Sequence, residues 1–76
     1  MKRHKLRYAI VIEKTKRNYG AYVPDLPGCV AVGNTKEEVL TLIREAIEFH
    51  LEGMKQDGES IPAPSSTSEL VEVEAA

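Results

Sequence analysis

The stretch Val23-Pro24-Asp25-Leu26-Pro27-Gly28-Cys29 places two prolines and a glycine inside a segment of seven residues. Pro24 has no amide hydrogen to give to a neighbouring strand, so it ends a strand or lies at a sheet edge. Pro27 and Gly28 suit the central positions of a type II turn, because proline fixes φ and glycine accepts a positive φ. Leu26 is held extended by the proline that follows it. The sequence therefore predicts a rigid corner between two strands.

Alternating apolar and polar residues predict strands on both sides of this corner. Residues 6–14 alternate with period two and are rich in β-branched side chains, which is typical of a strand. A polar connection over residues 15–18 and an apolar run over residues 19–23 complete a hairpin with it. After the corner, residues 29–32 form a third short strand.

A helix is predicted directly after the third strand. Gly33 and Asn34 break that strand, and Thr35 begins a capping box of the form Ser/Thr-x-x-Glu with Glu38 as its acid. Apolar side chains then recur at steps of three and four residues, which predicts a helix over residues 36–56 that Asp57-Gly58 terminates. The opposite side of this helix is polar and carries Glu37, Glu38, Arg44, Glu45, Glu48, Glu52 and Lys55.

The remainder of the chain predicts one more element. A loop of serines and prolines precedes residues 69–73, where Glu and apolar residues alternate and favour a final short strand. The expected fold is therefore α+β in the order β-β-β-α-β, a single domain over residues 1–76 with its core in residues 6–64. Residues 65–76 form a short tail or that final strand. One helix covers one face of such a small, mostly antiparallel sheet.

The second face of the sheet is expected to stay bare. It would present Ala9, Val11 and whichever of Tyr19, Ala21, Tyr22 and Val23 point that way. An apolar face that a short chain leaves bare predicts a protein–protein contact.

The small size of the chain predicts association with another chain. Ordering each residue costs about 1.5 kcal/mol, so 76 residues nearly cancel their own hydrophobic gain. Cys29 is the only cysteine, which excludes an internal disulfide, and one thiol with two histidines does not suffice for a structural zinc site. A homodimer or higher oligomer is therefore expected.

Charge is distributed unevenly along the chain. Up to Glu38 there are eight Lys or Arg against four Asp or Glu, whereas beyond it there are two against eight. Such asymmetry predicts a basic partner that docks on the acidic half, with Glu45, Glu48 and Glu52 as candidate contacts. The alternative is a solvated helix face followed by an acidic tail.

The expected location is the cytoplasm. No stretch approaches the ~20 apolar residues of a membrane span, and the basic start lacks the apolar run and cleavage site of a signal peptide.

Patterns of catalytic residues are weak, and neither an enzyme, a metal site nor a cofactor is expected. Gly33-Asn34-Thr35 lacks the glycines and lysine of a phosphate-binding loop. Asp25 could serve as a ligand or base, but an aspartate between two prolines commonly stabilises a turn through its own backbone. Cys29 could be a nucleophile with His50 as base, but it lies in an apolar run where cysteines are usually inert.

A residual nucleic-acid-binding or hydrolytic protein is a further alternative. Seven basic residues could gather at one end of the hairpin or at both: Lys2, Arg3, Lys5, Arg7, Lys14, Lys16 and Arg17. A nucleic-acid-binding domain is usually net basic, whereas this chain has a net charge of −2.

Several of these segments together resemble a known family. They are residues 8–14, the run Tyr22-Val23-Pro24-Asp25-Leu26-Pro27-Gly28-Cys29, Gly33-Asn34-Thr35 with Glu37-Glu38, the helix around Glu45-Ala46-Ile47, and the exit Asp57-Gly58-Glu59-Ser60-Ile61-Pro62. This combination is similar to the HicB antitoxin family over about residues 8–64. The corner together with the cap is fairly specific, whereas either one alone is weak.

The resemblance implies a partial ribonuclease-H-like fold that lacks the catalytic acids of that fold. It also implies a partner, a small basic RNA-cleaving toxin called HicA, which family members neutralise. Many members carry a DNA-binding module after this domain, and the twelve residues after Pro64 are too few for one. DNA binding by this chain alone is therefore not expected, and a solitary homo-oligomeric regulator without a toxin is the alternative.

Overall fold

The computed structural model describes residues 5–76, which form three strands followed by one helix. The strands are β1 (Val11–Lys14), β2 (Tyr19–Tyr22) and β3 (Val30–Gly33), and the helix is α1 (Lys36–Gln56). The sheet has the order β1-β2-β3, and both pairs of strands are antiparallel. This arrangement confirms the predicted α+β class, the antiparallel sheet and the bounds of the helix.

The corner has the predicted conformation. Gly28 has a φ of +85°, and the amide of Cys29 donates to the carbonyl of Leu26 at 3.1 Å, which closes a type II turn around Pro27-Gly28. A second turn precedes it, because the amide of Leu26 donates to the carbonyl of Val23 at 3.1 Å. Leu26 itself is only 1% exposed, so the corner inserts its one large apolar side chain into the core.

Strand β1 is shorter than the predicted 6–14, and the corner explains the difference. The last pair in the register is Val11 with Tyr22, so the next pairs would join Ile10 to Val23 and Ala9 to Pro24. The amide of Val23 points to β3, where it donates to the carbonyl of Cys29 at 3.2 Å, and Pro24, the next residue on the β1 side, has no amide hydrogen to donate. Regular pairing therefore stops where the corner begins.

Helix α1 begins at the predicted cap. The amide of Glu38 donates to the hydroxyl of Thr35 at 3.0 Å, while the carboxylate of Glu38 accepts from the amide of Asn34 at 2.9 Å, one residue before the cap. Gly33 lets this turn approach the sheet, since a Cβ there would lie 2.8 Å from the backbone nitrogen of Val39. The Gly33–Glu38 segment thus fixes both the start of the helix and its distance from β3.

The core lies between the sheet and the inner face of α1. Six apolar side chains form it: Ala21, Val23, Leu26, Cys29, Val39 and Ile43. Ile12, Ala21 and Ala31 stand opposite one another across the three strands and face the helix. The corner, the central strand and the first half of the helix therefore meet in one cluster.

The predicted final strand over residues 69–73 is wrong. These residues form no strand, and Leu70, Val71 and Val73 are exposed. Hydrogen bonds hold the chain at Ser65 and Ser66 against the corner, and residues 66–68 then lie beside residues 7–10, which precede β1. Residues 69–73 therefore lack a neighbouring strand, and alternation alone does not make a strand without one. The element order is β-β-β-α.

We expect Gly28→Ala to lower the free energy of unfolding by on the order of 1 kcal/mol or more, because its positive φ is unfavourable for a residue with a Cβ. Gly53→Ala is the matched control. Gly53 lies inside α1 with nothing within 4 Å of its added Cβ, so alanine should stabilise there by about 0.5–1 kcal/mol. Chemical denaturation measures both variants, and equal stabilities would contradict the assigned turn.

We expect Thr35→Ala to cost about 0.5–2 kcal/mol, because the amide of Glu38 loses its acceptor. Thr41→Ala is the control, since Thr41 lies inside α1 and donates only to the carbonyl of Glu37. Alanine is the better helix former there, so that variant should be no less stable than wild type. Thermal unfolding of the two variants under one buffer condition compares them directly.

Candidate partner-binding site

The outer face of α1 brings together the three predicted contact residues. Glu45, Glu48 and Glu52 are exposed and follow one another at steps of three and four residues, so their side chains share one side of the helix. Like charges at this spacing repel one another by about 0.2–0.5 kcal/mol per pair. A basic partner surface would relieve that repulsion.

Phe49 lies among these glutamates, and sequence reasoning missed it. It is the only phenylalanine of the chain, and 84% of its surface is exposed. Burial of a phenylalanine releases a large apolar area from water, so an exposed one on a charged face is unusual. The sequence does indicate this exposure, because the helical period places Phe49 outside the apolar stripe of α1. Aromatic side chains, phenylalanine included, are enriched at protein interfaces.

Asp25 ties the chain that leaves the helix to the corner. Its carboxylate accepts four hydrogen bonds, from the amides of Ser65 and Ser66 at 2.8 and 3.0 Å and from their hydroxyls at 3.1 and 2.7 Å. The interpretation that Asp25 serves a turn through its own backbone is therefore wrong, because its partners lie forty residues away along the chain. Its role is structural and joins two distant segments.

These hydrogen bonds lower the pKa of Asp25 to about 2. The amide of Ser66 contributes most, followed by the amide of Ser65 and the hydroxyl of Ser66. An ionised carboxylate accepts all four bonds, whereas a protonated one would lose part of that capacity. A carboxylate so stabilised is a weak base, which argues against a role for Asp25 in proton transfer.

Tyr8 provides a second tie for the same segment. Its hydroxyl donates to the carbonyl of Pro62. Burial raises the pKa of the Tyr8 phenol, and the negative charge of Asp25 raises it further, which keeps the donating proton in place. Residues 62–66 are thus held at two points, by Tyr8 before β1 and by Asp25 in the corner.

The other residues considered for catalysis do not form a site. Cys29 is buried in the core, where burial raises the pKa of its thiol and leaves it a poor nucleophile. His50 lies half-buried on α1. Among residues 5–76, no three or more His, Cys, Asp or Glu side chains cluster so that they could hold a metal ion. Over the same range, no helix has the length and apolar character that a membrane crossing needs.

The basic residues lie at both ends of the hairpin. Lys5 and Arg7 precede β1, whereas Lys14, Lys16 and Arg17 are exposed around the β1–β2 turn. Lys2 and Arg3 lie outside the described residues.

The face of the sheet away from α1 is apolar and open. Val11, Tyr22, Val30 and Val32 lie on it, and the last three are exposed. Of the residues predicted for this face, Val11 and Tyr22 are present, while Tyr19, Ala21 and Val23 pack toward the helix. β-branched and aromatic residues on a bare sheet face suit a protein contact.

A groove of about 590 Å³ separates the chain before β1 from helix α1. Its apolar lining comes from both sides and comprises Leu6, Tyr8, Ile10, Leu40, Ile43, Ile47 and Leu51. Two cations, Arg7 and Arg44, and one acid, Glu48, complete the lining. The groove therefore suits a ligand that is apolar along one side and acidic at its edge.

Comparison with known proteins supplies the family context of these surfaces. The family described as "HicB_like antitoxin of bacterial toxin-antitoxin system" matches residues 8–75. The chain is 41% identical over 64 residues to an uncharacterised 14.9 kDa protein of Haemophilus phage HP1, covering 84% of this chain and 48% of that protein. It is 41% identical over 58 residues to a UPF0150 protein of Thermoplasma acidophilum, covering 75% of this chain and 84% of that protein.

A further relative has a functional name. The chain is 31% identical over 71 residues to "Antitoxin HicB 2" of Photorhabdus laumondii, covering 92% of this chain and 51% of that protein. The chain thus spans about half the length of the phage protein and of this antitoxin.

We expect Asp25→Asn to release residues 65–68 from the corner, because the amide side chain accepts fewer hydrogen bonds and carries no charge. Amide hydrogen exchange at Ser65 and Ser66 should accelerate, whereas Asp57→Asn, at the end of α1, should leave both rates unchanged.

The pKa of Asp25 also predicts a dependence on pH. The folded value of about 2 lies below the ordinary 3.8, so the ionised group stabilises the fold above about pH 4, and this contribution is lost as pH falls toward 2. Between pH 5 and 2, the free energy of unfolding should therefore fall more steeply for wild type than for Asp25→Asn. An identical acid dependence of the two proteins would contradict the assigned hydrogen bonds.

Proposed function

Because this chain belongs to the HicB-like antitoxin family of bacterial toxin–antitoxin systems, we propose that it is a non-enzymatic binding protein. It acts in the cytoplasm and neutralises a small, basic, HicA-like RNA-cleaving toxin by direct protein–protein contact. The toxin is blocked because the bound protein covers its active or RNA-binding surface.

The observation that carries this proposal is Phe49 among Glu45, Glu48 and Glu52. The aromatic ring supplies apolar area for the centre of an interface, and the surrounding carboxylates suit a partner rich in Lys and Arg. A surface that competes with RNA for a basic toxin needs negative charge, since RNA presents the same charge through its phosphates. The outer face of α1 offers both features on one rigid helix.

Electrostatic attraction adds mainly to the rate of association. Opposite potentials on two surfaces steer their encounter, whereas the desolvated aromatic contact slows dissociation. Such steering weakens with salt, because exposed charges are screened within about 8 Å at physiological ionic strength.

Self-association is the second part of the proposal. We propose a homodimer or higher oligomer, because only six apolar side chains are buried in the core among residues 5–76 and the open sheet face leaves Tyr22, Val30 and Val32 in water. The outer face of α1 lies across the core from that sheet face, so a chain that associates with itself there can still bind a toxin.

We expect Phe49→Ala to weaken binding to a small basic HicA-like toxin by about 2 kcal/mol, which is roughly a thirtyfold rise in Kd. Tyr22→Ala is the matched control, since it removes an exposed aromatic residue from the opposite side of the molecule. Titration calorimetry measures both, and co-expression shows whether growth is rescued from the toxin. Equal affinities of the two variants would place the toxin elsewhere, and no binding by wild type would contradict the function.

We also expect the triple variant Glu45→Lys, Glu48→Lys, Glu52→Lys to slow association while the fold stays intact, because all three side chains are exposed. Stopped-flow kinetics over a range of salt concentrations measure this. The wild-type rate should fall with salt, and a triple variant that associates as fast as wild type would exclude the acidic face as the docking surface.

A further inference from the structure

Residues 69–74, termed the acidic arm below, extend away from the rest of the molecule. Its three apolar side chains are almost fully exposed: Leu70 at 103%, Val71 at 80% and Val73 at 77%. They are interspersed with glutamates, a pattern that suits a half-buried strand. The radius of gyration is 14.6 Å, whereas a compact chain of this length would have about 11 Å. Three apolar side chains held in water on a projecting segment indicate a contact that the isolated chain does not make.

The groove between residues 6–10 and α1 is complementary to the acidic arm. Its lining is mostly apolar and includes Arg7 and Arg44, against a single acid, Glu48. The arm has three apolar side chains and three carboxylates. In an extended arm, Val71 and Val73 point to the same side, so both can face the floor of the groove while Glu72 and Glu74 remain near its arginines.

The lengths also agree. Six extended residues span about 20 Å at roughly 3.3 Å each. The helical side of the groove runs from Leu40 to Leu51, which at about 1.5 Å per residue is close to 17 Å. The arm therefore spans the groove from end to end.

The arm of the same chain is poorly placed to fill this groove. Asp25 fixes Ser65 and Ser66, and residues 66–68 lie beside residues 7–10 at the edge of the groove. Leu70, Val71 and Val73 are exposed, so the arm does not occupy the groove of its own chain.

We propose that the acidic arm of one copy lies in the groove of a second copy, and that the exchange is reciprocal about a two-fold axis. Each dimer then contains two identical arm–groove contacts. This inference rests on the proposed self-association and places it in the groove rather than on the open sheet face, but it does not depend on the toxin. Phe49 does not line the groove, whereas Glu48 does, so the exchange leaves Phe49 free and brings the arm beside one of the three glutamates.

Disulfide trapping tests the pairing. The variant with Leu40→Cys and Val71→Cys has one new thiol in the groove and one on the arm, and native Cys29 is buried. Mild oxidation should give a covalent dimer on non-reducing gels. The matched control, Phe49→Cys with Val71→Cys, moves the helical thiol to the outer face and should give little.

Each outcome of the trapping experiment decides the proposal. A cross-link within one chain would show that the arm folds back and would overturn the exchange. Equal cross-linking by the control pair, or none by the test pair, would also overturn it. A mixture of chains that carry only Leu40→Cys or only Val71→Cys should form the mixed covalent dimer.

Sedimentation of the full chain separates this inference from self-association in general. The double variant Val71→Asp, Val73→Asp should raise the dimer Kd at least ~10-fold, since two apolar contacts become charged. Arg44→Glu should weaken the dimer, and adding Glu72→Arg should restore it. A dimer that none of these changes weakens associates through another surface, such as the open sheet face, and a wild-type monomer would overturn both proposals.

Discussion

The corner between β2 and β3 is the constraint on which the rest of the structure depends. Its two consecutive turns reverse the chain, and Pro24 stops β1 from pairing further. Leu26 enters the core at this point, where it meets the first half of α1. Asp25, the neighbouring residue, accepts the hydrogen bonds that hold the chain after the helix. Successive residues of one short segment thus organise the sheet, the core and the returning chain.

The inner and outer faces of α1 have different roles. Val39 and Ile43 on the inner face are almost completely buried and join the helix to the sheet. Phe49 and the neighbouring glutamates on the outer face are exposed, so they remain available to a partner. A helix that is fixed at its start by Thr35 and along its length by the core presents these side chains in a constant arrangement. Preorganisation of this kind reduces the entropy lost on binding.

The size of the chain explains why so much apolar surface remains outside the core. With one helix and three short strands, only one face of the sheet can be covered, and the groove beside the helix stays open. Association of copies is the usual way in which small domains remove such surface from water. The open sheet face lies across the core from the outer face of α1, whereas the groove shares Glu48 with that outer face.

The sequence by itself determined the features whose causes are local. The turn at Pro27-Gly28, the cap at Thr35 and the bounds of α1 each depend on residues within a few positions of one another, because φ preferences and capping bonds act at short range. The exposure of Phe49 was also within reach, since it follows from the phase of the helix.

Only the tertiary structure decided the features that join distant segments. The partners of Asp25 lie forty residues further along, and no spacing rule connects them. The end of β1 depends on Pro24 standing opposite Ala9, which follows from the register of β1 and β2. The alternation over residues 69–73 describes a segment suited to a strand, but a strand forms only where a neighbouring edge is within reach. Whether such an edge is within reach depends on the path of the whole chain, which local preferences do not determine.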